Sequence, residues 1–132
     1  MHEAAPRTAS WRVAMKYVLM FAGSTGDQEA WDKMTEEQKS TAYGHVMKWW
    51  EEHSAAGRIV GGAELKGPSS STTVRIRNGK VAVTDGPFIE SKEIVGGFAI
   101  VEVKDLDEAL AMAKTWPGGS DHAVEIRPVV DH

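Results

Sequence analysis

The stretch Ile94-Val95-Gly96-Gly97-Phe98-Ala99-Ile100-Val101-Glu102-Val103, followed by Asp105-Leu106-Asp107-Glu108, decides the fold class. Its first half alternates with period two: Phe98 and Ile100 fall on one face, and Ala99, Val101 and Val103 on the other. Asp105 with Glu108 then has the spacing of a helix cap. Leu106, Ala109, Leu110 and Ala113 repeat at helical spacing until Trp116-Pro117-Gly118-Gly119 ends the pattern. Strand passes directly into helix, and Ala123 to Arg127 supplies the next strand before Pro128.

The same order precedes this unit. Tyr17, Leu19 and Phe21 alternate with Lys16, Val18 and Met20 in a strand that Gly23-Ser24-Thr25-Gly26 closes. A short turn of helix carrying Trp31 follows, and Thr35 with Gln38 forms a capping box. The helix it opens carries Ala42, Tyr43, Val46, Met47, Trp49 and Trp50 on a broad stripe, with Gly57 as its left-handed stop. Ile59 to Leu65 is a strand interrupted by Gly61-Gly62. Between the two units, Thr72–Arg77 and Lys80–Thr84 flank Asn78-Gly79, the strongest short-range hairpin signal. The expected fold is α+β, a ferredoxin-like βαββαβ subunit with an inserted β-hairpin.

Two helices cover one face of such a sheet, yet Val18 and Met20, together with Ala99, Val101 and Val103, are expected to leave the other face apolar. A partner subunit packed there makes a homodimer; the alternative is a cover formed by the hairpin and the N-terminal segment. Residues 1–12, without hydrophobic period, read as a flexible tail, and 13–132 as one domain.

Composition excludes several classes. The chain has 132 residues, 42% hydrophobic and 26% charged, which suits one globular domain with its own core. There is no cysteine, so neither disulfides nor thiolate chemistry is available. Fifteen basic against 19 acidic residues argue against a nucleic-acid partner. The apolar run near Phe21 is too short for a membrane span, so a cytoplasmic location and no membrane partner are expected. No metal-ligand constellation is visible, since His45 and His53 lie two helical turns apart. No phosphate-cradling glycine loop runs from strand into helix, and no cofactor is expected.

The densest polar segment is Asp85-Gly86-Pro87-Phe88-Ile89-Glu90-Ser91-Lys92-Glu93. In one reading Asp85 caps the turn, Phe88 plugs the core, and Glu90, Lys92 and Glu93 are solvated. In the other, the turn presents Asp85, Glu90 and Glu93 to a pocket where crowded carboxylates make an acid/base pair. Arg75 and Arg77 share one face of the hairpin, and Glu125 and Arg127 one side of the last strand; either pair is a plain solvated surface or a lining for an anionic ligand.

Thr84-Asp85-Gly86-Pro87-Phe88, then Glu90, Lys92, Glu93 and Gly97, resembles the DGPF signature of the YCII-related (DGPF-domain) family. Thr73-Val74-Arg75 before it, and Asp105-Leu106-Asp107-Glu108-Ala109 and Val124-Glu125-Ile126-Arg127-Pro128 after it, extend the likeness from Met15 to Val130. The resemblance implies a dimeric α/β barrel of ferredoxin-like subunits. It also implies a His–Asp pair with the histidine on the first helix, which here singles out His45 with Asp85 as catalytic candidates. Read from their positions rather than from the resemblance, Glu90, Lys92, Glu93, Arg75 and Arg127 are the ligand-binding candidates. Two functions follow: a small-molecule site inside the barrel, with acid/base chemistry, or a non-catalytic accessory protein linked to extracytoplasmic-function sigma factors.

Overall fold

The computed structural model describes residues 14–88 and 92–132; the expected tail over residues 1–12 lies outside them. Nine strands and α-helices follow in order among the described residues. Strand β1 (Met15–Ser24) runs into α1 (Thr25–Asp32), capped reciprocally by Ser24 and Asp27. Helix α2 (Glu36–Ala55) opens on the Thr35–Gln38 capping box, both halves of which form. Then come β2 (Ile59–Glu64), β3 (Thr72–Arg77), β4 (Lys80–Asp85), β5 (Glu93–Val103), α3 (Leu106–Lys114) and β6 (His122–Pro128). Asp105 caps α3 by accepting from the Glu108 amide.

Four strands form an antiparallel sheet in the order β2-β5-β1-β6, and β3 and β4 pair separately as a hairpin. Asn78 and Gly79 both have positive φ, 52° and 77°, as a two-residue hairpin turn of primed type requires. The mixed α and β composition, antiparallel strands and three α-helices are compatible with the ferredoxin-like expectation. No helix among the described residues is long and apolar enough to cross a membrane.

Register assigns the two faces of the sheet. Leu19 lies opposite Ala99, and Tyr17 opposite Val101. All four are buried with Phe21 and Val103, under Trp49 of α2 and Ala109 and Met112 of α3. Phe21 stacks on Trp116 at 3.9 Å between centroids and meets Trp49 edge-on at 5.7 Å. The expectation that Ala99, Val101 and Val103 face away from the helices is therefore corrected: they are core. The helix-free face carries Val18, Met20, Phe98 and Ile100 instead, since Val18 pairs with Ile100 and Met20 with Phe98. The reason is antiparallel pairing, which puts directly opposed residues on one face; the alternation of each strand was legible, but not which phase of β5 joins Leu19.

The helix stripes are corrected too. Trp49 and His53 are the buried residues of α2, whereas Tyr43 and Met47 are exposed. In α3 Ala109 and Met112 are buried while Leu106 and Leu110 are not. Gly62, at φ 138°, lets β2 pass so close to the core that a Cβ would stand 2.8 Å from the Trp50 ring and 2.9 Å from the Ala99 Cα.

Candidate functional site

The signature turn is fastened by backbone and hydroxyl groups, not by its aspartate. The Gly86 amide donates to the Ser71 carbonyl at 2.7 Å, and the Thr73 hydroxyl to the Gly86 carbonyl at 2.6 Å. Arg75 reaches along the hairpin and donates to the Phe88 carbonyl at 2.7 Å. Asp85 ends β4 opposite Thr72 and is exposed; among the described residues its carboxylate accepts no hydrogen bond, so the capping role is not observed. Phe88 is 65% exposed, which corrects its assignment as a core plug. With turn fastening supplied by Thr73 and Gly86, the Asp85 carboxylate is left available to solvent or to a ligand.

Cross-strand pairing gives the hairpin two unlike faces. Val74 lies opposite Val83 and Ile76 opposite Val81, making one apolar face. Those four side chains are 58–68% exposed. Arg75, Arg77 and Lys80 occupy the other.

On the main sheet, Arg127 pairs with Val18 and Glu125 with Met20, so both charges stand on the helix-free face and form an ion pair with each other. Ser24 lies opposite Glu93, and the Lys92 carbonyl accepts from the Thr25 amide at 3.1 Å, so both join the start of β5 to the start of α1. Glu90 lies outside the described residues.

His45 sits elsewhere. It is exposed on α2 and lines a cleft of about 460 Å³ between α2 and α3, on the helix side of the sheet. Asp85 does not line this cleft, and among the described residues no hydrogen bond or ion pair joins the two. At the cleft's inner end is His53, 8% exposed, whose Nδ1 accepts from Arg58 Nε at 2.9 Å. Burial holds the His53 imidazole below its ordinary value of 6.5; the Arg58 cation acts in the same direction and Glu52 opposes it. The link between His53 and Arg58 is built locally: Gly57, at φ 76°, reverses the chain, the Gly57 amide donates to the Ser54 carbonyl, and the Arg58 amide to that of His53. This is a Schellman motif, and it returns Arg58 alongside the helix's last buried residue. Sequence reading noted His53 only as a non-chelating partner of His45 and missed Arg58. The glycine stop was the signal that could have found them.

A match to the family model of the YCII-related domain spans residues 15–132, nearly the whole described chain. The chain belongs to the YCII-related domain family. An uncharacterised protein of Rhizobium meliloti (strain 1021) is 30% identical over 117 residues, covering 87% of this chain and 92% of that protein. In this YCII-related domain, the segment holding the DGPF signature is thus the end of an exposed hairpin, while His45 on α2 opens onto a different surface. Among the described residues no group of His, Asp or Glu is arranged to hold a metal ion.

Proposed function

We propose that this YCII-related domain works as a homodimer that binds a small molecule between its subunits. One observation carries the reading: the described residues present two apolar surfaces, the helix-free face with half-buried Val18, Met20, Phe98 and Ile100, and the hairpin face with exposed Val74, Ile76, Val81 and Val83. A two-stranded hairpin is marginal in water without packing, and surfaces this apolar are normally buried on a partner. A second copy covers both, joining two sheets into a dimeric α/β barrel. Glu125 and Arg127 then supply charged groups in a mostly apolar chamber, the makeup of a small-molecule pocket. Asp85, with Lys92, Glu93, Arg75 and Glu90 of the same hairpin and its continuation, furnishes acidic and basic groups for the ligand. His45 lines a cleft that Asp85 does not, so in this reading acid/base chemistry rests on Asp85 and the glutamates.

Light scattering and a ligand thermal-shift screen test this reading. The expected results are a dimer at micromolar concentration and a stabilising ligand whose effect shrinks in Asp85→Asn or Arg127→Gln, while both variants fold. A monomeric wild type overturns it. The exposed valine face also favours the second reading, a non-catalytic accessory protein docking on a partner linked to extracytoplasmic-function sigma factors. A dimer in which Val74 and Ile76 remain open to hydrogen exchange, with no ligand found, supports that alternative.

A further inference from the structure

We propose that the cleft between α2 and α3 is a second binding site, one that takes a small organic carboxylate on Arg58 and His53. It lies on the helix side of the sheet and is independent of the pocket between subunits.

The donors are fixed before any ligand arrives. Arg58 Nε can only donate, so Nδ1 of His53 is the acceptor, and the neutral ring carries its proton on Nε2. Burial keeps the imidazole in that neutral form. His53 is 8% exposed, lines the cleft and packs its ring on Trp49 at 4.6 Å between centroids; Nε2 has no hydrogen-bond partner among the described residues. A buried N–H left without an acceptor costs free energy, so this one marks where an acceptor belongs. Arg58 has given one N–H to His53, and its two terminal NH2 groups take no partner among the described residues. They form a planar edge that suits the two oxygens of a carboxylate.

Other nearby polar groups are already engaged. The Trp49 indole N–H donates to Thr115 Oγ1 at 3.0 Å, and the Thr115 hydroxyl donates to the Met112 carbonyl at 2.9 Å. A Glu108 oxygen accepts from the Lys104 amide at 2.7 Å. His45, Lys48 and Glu52 of α2 also line the cleft. One guanidinium edge beside one neutral imidazole matches a singly charged planar oxyanion better than a phosphate dianion. The facing wall is Ala111, Met112 and Pro117, an apolar surface for the hydrocarbon part of the ligand. At about 460 Å³ the cleft suits a ligand the size of a substituted benzoate or a short fatty acid.

The test uses the full chain and two isosteric probes, benzoate and benzamide, followed by NMR of the His53 ring and the Trp49 indole N–H. Benzoate is expected to give saturable shifts centred on these two groups and to raise the His53 pKa, because a carboxylate beside the ring favours imidazolium. Benzamide, of the same shape without charge, is expected to bind weaker by roughly tenfold or more. Arg58→Gln is expected to weaken benzoate by a similar factor. Arg58→Lys, which keeps the charge but loses the planar fork, should retain only part of the affinity. The inference is overturned if neither benzoate nor hexanoate gives saturable shifts up to about 10 mM, an upper limit already corresponding to very weak binding. Equal affinity for benzoate and benzamide on the unmodified protein overturns it as well, whatever the variants do.

Discussion

Ile100 and Val101 are neighbours in β5 with opposite fates, and a glutamate at each separates the core from the proposed interface. Val101 is fully buried, paired with Tyr17 and enclosed by α2 and α3. Val101→Glu places an ionisable group in a core cluster made of apolar and aromatic side chains alone. Removing the buried valine alone forfeits about 1–3 kcal/mol, and an uncompensated buried charge adds about 3–5 kcal/mol. That sum is comparable with the whole stability of a small domain, so the variant should be unfolded or nearly so at 25 °C. Ile100→Glu points to the helix-free face, where the side chain is partly exposed in a single subunit. Folding of the subunit should survive, but a symmetric interface receives the charge twice, and even one such charge at about 3 kcal/mol weakens association by roughly 100-fold. Far-UV circular dichroism with thermal melting reads the first effect, and light scattering across a dilution series the second. An Ile100→Glu protein that stays dimeric at the same dilution as its parent refutes the interface. A Val101→Glu protein that melts like its parent refutes the assignment of the core face.

Three further outcomes are expected. Gly62→Ala should lose about 3 kcal/mol or more in denaturant unfolding, because positive φ and a Cβ driven against Trp50, Ala99 and the Phe98 carbonyl act together; an unchanged midpoint would mean that β2 does not approach the sheet this closely. Trp116→Ala should cost about 3 kcal/mol through loss of its stack on Phe21, measured by thermal melting. The third concerns pH: the His53 pKa is lowered on folding, so the unfolded chain binds the proton first, and stability falls as pH drops through about 6.5 and levels below the folded value. His53→Gln should flatten that part of the pH–stability curve, and a curve that keeps its slope would show that another group is responsible.

The local signals were legible because they depend on few neighbours. Thr35 with Gln38, Asp105 with Glu108, Asn78-Gly79 and Gly57 each declare a cap, a turn or a stop through bonds spanning a handful of residues, and all four form. What failed depended on distant contacts. Whether Ala99 or Phe98 faces the helices is set by pairing with β1, because β5 is apolar on both faces and its alternation alone has no sign. Phe88 was assigned inward because it is large and aromatic, but the hairpin that carries it does not fold onto the helix-covered core. His53 was hidden by its type: a histidine in a run of glutamates and alanines gives no hint of burial until Trp49 and Arg58 are placed around it.

The position of β1 in the sheet has a consequence for how the chain is made. Of the six described strands it is made first, yet it lies inside the sheet, hydrogen-bonded on one side to β5 and on the other to β6. Both partners are encoded in the last third of the chain, so Tyr17, Leu19 and Phe21 wait with open edges while α1, α2 and the hairpin are synthesised. Helices and the hairpin can close on the nascent chain within microseconds, but the sheet cannot begin around its own centre until β5 has been made, nor close until β6 has. The interval of greatest exposure to aggregation, and to chaperones that recognise apolar strands, is therefore built into the strand order. A stalled or truncated product lacking β6 would keep one edge of its central strand unpaired.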